Sequence, residues 1–239
     1  MKISLKPYSN SVFSLNPDSI SDFNLNTFHP GEQELKNFRI EDEKLNILDL
    51  FSGSGSWIEG WRKSTTYNIC IDSVDIIKKP HINYCMDIRD FKPNKKYHIV
   101  YASPPCTHFS QMRKINKLKT TNEELEEALL FVEIAFNFAK CAKFCYVIEN
   151  PYTGTLKDYY SDCQIVDYSC YDFPMRKRTA IWSNIDLKLK IKTELNYNRL
   201  PLQYIKENAK IPKKLVNRIK WMIIKKFNKE LKEFRKCMN

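Results

Sequence analysis

The chain has 239 residues, 43% of them hydrophobic, which suits one domain with a sizeable core and at most an appendage. A formal charge of +11 favours a polyanionic partner through phosphate neutralisation and counterion release, although a generally lysine-rich composition accounts for part of that excess. No run approaches the ~18 apolar residues of a membrane span, and Met1 to Pro7 lacks the apolar stretch of a secretory signal. The eight cysteines are scattered without a Cys-x-x-Cys pair, so neither a disulfide framework nor a zinc ribbon is expected. Cys141, Cys145 and His81 are expected to pack rather than to hold a metal. Together these features predict a reduced, intracellular protein of cytoplasm or nucleus, with no membrane association.

Residues 1–30, rich in Ser, Asn and Pro, show no sustained period, and a short helix is expected from Gly31 to about Glu43. Leu45 to Phe51 then reads as a first buried strand running into Ser52-Gly53-Ser54-Gly55-Ser56, with a helix from Ser56 to Lys63. Glycines there permit positive φ and let a ligand approach the backbone. The turn departs from the dinucleotide fingerprint because Ile58 occupies the third glycine position. A second strand, Tyr67 to Ile71, is expected to end at Asp72, where a carboxylate can accept from ribose hydroxyls. A third, around His81 to Met86, ends at Asp87, followed by Ile88; here a carboxylate could meet an adenine amino group and an apolar side chain its ring. Acids at strand ends also serve as helix caps, so it is the set that outlines an adenosine-shaped pocket.

Tyr97 to Tyr101 reads as the end of another buried strand, stopped by Pro104 and Pro105, which cannot donate ladder hydrogen bonds. Cys106 follows at once, on a rigid loop at a strand's C-terminal end, where open α/β sheets place their chemistry. A thiolate is a strong nucleophile, whereas an ordinary free cysteine is a small buried hydrophobe. After a basic stretch from Gln111 to Thr120, Thr121-Asn122-Glu123-Glu124 caps a long helix whose apolar stripe includes Leu125, Ala128, Leu129, Val132, Ala135, Phe136 and Ala139. A fifth strand, Phe144 to Ile148, ends in Glu149-Asn150-Pro151, placing a carboxyl on the same sheet edge as Cys106. Gln164 to Tyr171 and Thr179 to Ser183 read as antiparallel edge strands, with Arg176 and Arg178 alternating onto one face between them. Leu187 to Lys192 alternates apolar and lysine residues like one more edge strand, and Pro212 to Lys236 is a basic amphipathic helix.

The ordered set Asp49-x-Phe51-x-Gly53-x-Gly55, Pro104-Pro105-Cys106, Glu149-Asn150-Pro151 and Arg176-x-Arg178 resembles the S-adenosylmethionine-dependent cytosine C5 methyltransferases over roughly residues 45–184. The bacteriophage and large-virus members fit best. Asn208-Ala209-Lys210-Ile211-Pro212 is similar to the family's last motif, with Glu207 where a glycine is usual; Pro174 likewise stands where a glutamine usually precedes Arg-x-Arg. The resemblance implies an α/β, Rossmann-like class I methyltransferase fold: a mostly parallel seven-stranded sheet with helices on both faces. It implies a division into an N-terminal extension (1–44), a catalytic domain (45–184), a minimal target-recognition segment (185–204) and a C-terminal motif and helix completing the catalytic domain (205–239).

By the same resemblance, Cys106 adds to C6 of cytosine, Pro105 shapes its loop, Glu149 donates to N3, and Arg178 with Arg176 holds O2. Phe51, Gly53, Gly55, Asp72, Asp87, Ile88 and Asn208 line the site of S-adenosyl-L-methionine, and no metal is involved. Double-stranded DNA is the expected partner and a monomer the expected state. An RNA substrate is the alternative; the Cys-Phe-Thr signature associated with the tRNA-methylating branch is absent. Ser103-Pro104-Pro105-Cys106 argues against an adenine amino-methyltransferase, and Cys106, Glu149 and both glycines together argue against a catalytically silent nucleic-acid-binding relative. The short interval from Ile185 to Tyr204 predicts relaxed or short sequence recognition.

Overall fold

The computed structural model describes residues 44–64, 67–109, 119–174, 176–191 and 210–238. The expected N-terminal helix, most of the basic stretch after Cys106, and Asn208 lie outside the described residues.

In chain order the elements are β1 (Leu45–Leu50), α1 (Ser56–Arg62), β2 (Ile69–Asp75), β3 (Tyr84–Cys85), β4 (Ile99–Ala102), α2 (Asn122–Lys140), β5 (Cys145–Pro151), α3 (Leu156–Tyr159), β6 (Gln164–Asp167), β7 (Arg178–Ser183) and α4 (Lys213–Met238). Seven strands form one sheet in the order β3-β2-β1-β4-β5-β7-β6. The pairs from β3 through β5 are parallel, while β7 runs antiparallel to both β5 and β6, so the sheet is mixed. Its near-continuous apolar strands are those of a sheet covered on both faces. On one face Ile47, Tyr101, Val147 and Ile181 pack with Trp57 and Trp61 of α1 and Leu215, Ile219 and Ile223 of α4. On the other, Leu48, Leu50, Val100 and Ile148 pack with Ala128, Val132, Ala135 and Ala139 of α2. Leu231 and Phe234, expected on the buried side of α4, have side chains outside the described set.

The cap of α2 forms as its sequence requires. Thr121 accepts from the Glu124 backbone N–H while the Glu124 carboxylate accepts from that of Thr121. Three expectations need correction. The second strand does not end at Asp72 but continues to Asp75, because Ser73 and Val74 pair with Asp49 and Leu50 of β1. The strand expected over Gln164 to Tyr171 stops at Asp167, whose carboxylate accepts from Ser169 N–H and turns Tyr168–Tyr171 into a 3₁₀ helix. The alternating segment after β7 forms no strand over 184–191; Lys188 takes φ 48°, and Leu187 is buried against the core while Asp167 N–H reaches the Lys190 carbonyl.

Strand order reverses between β1 and β4, and a ligand crevice in a doubly wound sheet lies outside the carboxyl ends at such a reversal. The glycine turn follows β1, and the Pro-Pro-Cys loop follows β4.

Candidate active site

Cys106 is held by the chain around it rather than by its own strand. Asn150 Nδ2 donates to the Pro104 carbonyl at 3.0 Å, and Thr155 N–H donates to the Phe109 carbonyl at 3.0 Å, clamping both ends of the loop. Gly154 makes that approach possible, since a Cβ there would sit 2.6 Å from the Phe109 oxygen. Pro105 is exposed and Cys106 half-buried, so the sulfur lies at the rim of the sheet with access from outside.

Glu149 stands one residue beyond the last β4–β5 pair, opposite Ile181 of β7. It is 8% exposed, and its Oε1 accepts from the hydroxyl of fully buried Tyr168 at 3.2 Å. Burial raises the Cys106 thiol above its ordinary range; the Glu149 charge raises it further and the Lys177 ammonium opposes both. The structure therefore brings Cys106, Glu149, Tyr168 and Lys177 together. The thiol is a nucleophile, and the carboxyl can exchange a proton with a ring nitrogen.

Arg176 and Arg178 do share a face, but it is not the face of Glu149. Cross-strand partners project to the same side, which puts Glu149 with Ile181 and Tyr168 in the core beneath α1 and α4. Arg178 alternates with Ala180 and Trp182, which pack beneath α2. Arg178 is paired with Asp167 across β6, and Arg176 Nε lies 3.3 Å from the Asp167 carboxylate. Tyr168 and Lys177 escaped the sequence reading, although the alternation that groups the two arginines also sets Lys177 on the opposite face.

The second cluster surrounds the glycine turn. Gly53 and Gly55 have φ of 53° and 71°, and a Cβ on Gly55 would meet the His81 ring at 3.0 Å. Phe51 packs edge-on against Phe131 at 5.9 Å. Asp72 is not at the sheet edge: it lies within β2, its carboxylate accepting from the Tyr97 hydroxyl and bridging to Lys95, each at 2.7 Å. The acid at the edge is Asp75, whose carboxylate accepts from the Gly53 N–H at 2.8 Å and the Ile77 N–H at 2.8 Å. Ile76, directly after it, is 70% exposed, an apolar face with nothing yet to cover it among the described residues. Asp87 follows β3, capping the turn at Ile88–Asp90 and pairing with Arg89, which holds its carboxyl below the usual range; Ile88 is buried beside it. Beneath the turn, Asp49 is fully buried, and burial pushes its carboxyl up to about 7 despite the 2.5 Å bond from Ser52.

An open turn backbone, a carboxylate at the end of the adjacent strand and an exposed isoleucine fit an adenosine-bearing cofactor: N–H groups for its polar end, Asp75 for ribose hydroxyls, Ile76 and Ile88 for the base.

No protein-family model matches the chain. Over 162 residues, 59% of this chain and 72% of the relative, it is 33% identical to a "Probable DNA (cytosine-5)-methyltransferase" of Frog virus 3 (isolate Goorha). The chain belongs to the DNA (cytosine-5)-methyltransferase family. Among solved structures, the Entamoeba histolytica methyltransferase EhMeth is 12% identical with a TM-score of 0.39, covering 66% of this chain, which spans only 58% of that protein. A SAM dependent methyltransferase from Aquifex aeolicus is 14% identical with a TM-score of 0.35, over 71% of this chain and 94% of its own. At those scores neither likeness adds to the family assignment, which rests on the viral relative. For a member of this family, no helix among the described residues is long and apolar enough to cross a membrane.

Proposed function

We propose that this protein is a DNA (cytosine-5-)-methyltransferase that uses S-adenosyl-L-methionine and a covalent cysteine adduct. The observation that carries the reading is the placement of Cys106 and Glu149 at one sheet edge, tied together by the Asn150–Pro104 hydrogen bond. Cytosine C5 is a poor nucleophile until the ring loses its aromaticity. The Cys106 thiolate would form an S–C6 bond with its lone pair while N3 takes a proton from Glu149, shifting the ring π electrons to leave an enamine nucleophilic at C5. S-Adenosylmethionine supplies the electrophilic methyl group that C5 acquires. Removal of the C5 proton then expels the thiolate, restores the C5–C6 double bond and returns the N3 proton to Glu149. Tyr168 keeps the Glu149 carboxyl oriented through these transfers by donating to Oε1.

Cofactor binding is assigned to the turn at Phe51, Gly53 and Gly55, to Asp75 with Ile76, and to Asp87 with Ile88; Asn208 keeps the role the resemblance gives it. Because a duplex buries C6 in the stack, a DNA substrate must present the cytosine flipped out. The net charge of +11 would hold the phosphate backbone, which positions without reading sequence. Residues 185–204 are read as a minimal recognition segment within the division 1–44, 45–184, 185–204 and 205–239, giving short or relaxed specificity. Tritiated methyl transfer to DNA and to RNA, followed by nucleoside analysis, tests this. 5-Methylcytosine from DNA is the expected product; label confined to RNA or to adenine would overturn it.

A further inference from the structure

Asp167 draws both arginines of the Arg-x-Arg pair toward the α2 face of the sheet, away from the thiol that a cation would serve. One cation stands on the other face. Lys177 immediately precedes β7, in alternation with Thr179 and Ile181, and Ile181 is the residue opposite Glu149. Its carbonyl accepts from the Tyr168 N–H at 3.0 Å, and its Nζ lies 4.8 Å from the centroid of the Tyr168 ring. The hydroxyl of that tyrosine donates to Glu149. Lysine, tyrosine and glutamate thus form a stack at the edge where Asn150 fastens the Cys106 loop.

We propose that Lys177, and neither Arg176 nor Arg178, is the active-site cation that favours the thiolate form of Cys106. The groups facing the sulfur are Glu149 from β5, Tyr168 from the 3₁₀ turn and Lys177 from the approach to β7; His108, on the same loop, is turned to Glu124 at 3.7 Å. Glu149 and burial both oppose ionisation of the thiol, and Lys177 is the group that offsets them. An ammonium on a flexible four-carbon stem also suits a sulfur that moves between free thiolate and C6-bound thioether, whereas a guanidinium paired with Asp167 is fixed.

The inference rests on Cys106 being the nucleophile, but its test needs no substrate. Alkylation of Cys106 by iodoacetamide, followed across pH by peptide mass spectrometry, reads the thiolate fraction directly. Lys177→Met should slow labelling at neutral pH by about three- to tenfold and move the midpoint to higher pH, the size expected from losing one nearby cation. Lys177→Arg should restore most of the rate, which loss of structure alone would not allow, and Arg178→Met and Arg176→Met should leave the midpoint where it is. Circular dichroism melts confirm that each variant is folded. An unchanged midpoint in folded Lys177→Met, or a shift produced by Arg178→Met instead, would overturn the proposal. If wild-type protein methylates no cytosine while Lys177 still controls the midpoint, the functional reading fails and the electrostatic one stands.

Discussion

Replacing Asp49 by asparagine should make the stability of the fold much less sensitive to pH. The carboxyl lies in β1 directly before the glycine turn, with no exposure, one oxygen bonded to Ser52 and the other without a hydrogen-bond partner. Its pKa rises from 3.8 to about 7, chiefly because burial penalises the charged form. A folded pKa above the unfolded one means that the folded state holds a proton the unfolded chain has lost. The stabilising contribution is therefore fully present below about pH 4 and is lost as pH rises through about 7. Roughly three pH units at about 1.4 kcal/mol each make the ionised, buried carboxylate cost on the order of 4 kcal/mol. Between pH 5 and pH 8 the wild type should lose about 3 kcal/mol that Asp49→Asn does not lose, since the amide has no charge and still accepts from Ser52. Urea unfolding of both proteins under reducing conditions at those two pH values measures the double difference, in which every other titrating group cancels. A difference between the two proteins that is the same at both pH values would show that Asp49 folds as a stabilised carboxylate, and that the turn is built otherwise.

Two further substitutions separate the pockets. Asp75→Ala should weaken S-adenosylmethionine binding by about tenfold or more in calorimetry, whereas Asp72→Ala should leave that affinity within about twofold and cost about 1–3 kcal/mol of stability by stranding Lys95 and Tyr97; the reverse pattern would return the ribose contact to Asp72. Glu149→Gln should lower turnover by about a hundredfold or more while cofactor affinity stays unchanged, because the amide keeps the bond from Tyr168 but holds no transferable proton; loss of cofactor binding in that variant would place Glu149 in the wrong pocket.

Much of the site is legible in the sequence because chemistry-bearing residues stand where strands end. Pro104 and Pro105 announce the end of β4, and Glu149-Asn150-Pro151 puts the carboxyl and the tethering amide at the same edge. What failed was decided by partners distant in sequence. Asp72 reads as a strand end because an acid inside a buried strand is unexpected; only Lys95 and Tyr97, more than twenty residues on, make it tolerable there. The strand therefore ran on, and Asp75 took the edge. Alternation grouped Arg176 with Arg178 correctly, yet which face they share depends on the pairing of Ile181 with Glu149, a register no local pattern contains. Tyr168 was read as strand, and its role follows from the side chain of Asp167 turning the backbone after β6. Leu187 and Leu189 alternate as a strand would, but they fill the core without a continuous ladder.

The most direct measurement of the central claim is covalent trapping on duplex DNA containing 5-fluorocytosine, with S-adenosylmethionine present. Fluorine at C5 cannot leave as the proton does, so the thioether to C6 persists and survives denaturation. The account predicts an adduct with wild-type protein, mapped by mass spectrometry to Cys106, and none with Cys106→Ala. A folded Cys106→Ala protein that still methylates cytosine, or an adduct on another cysteine, would contradict it.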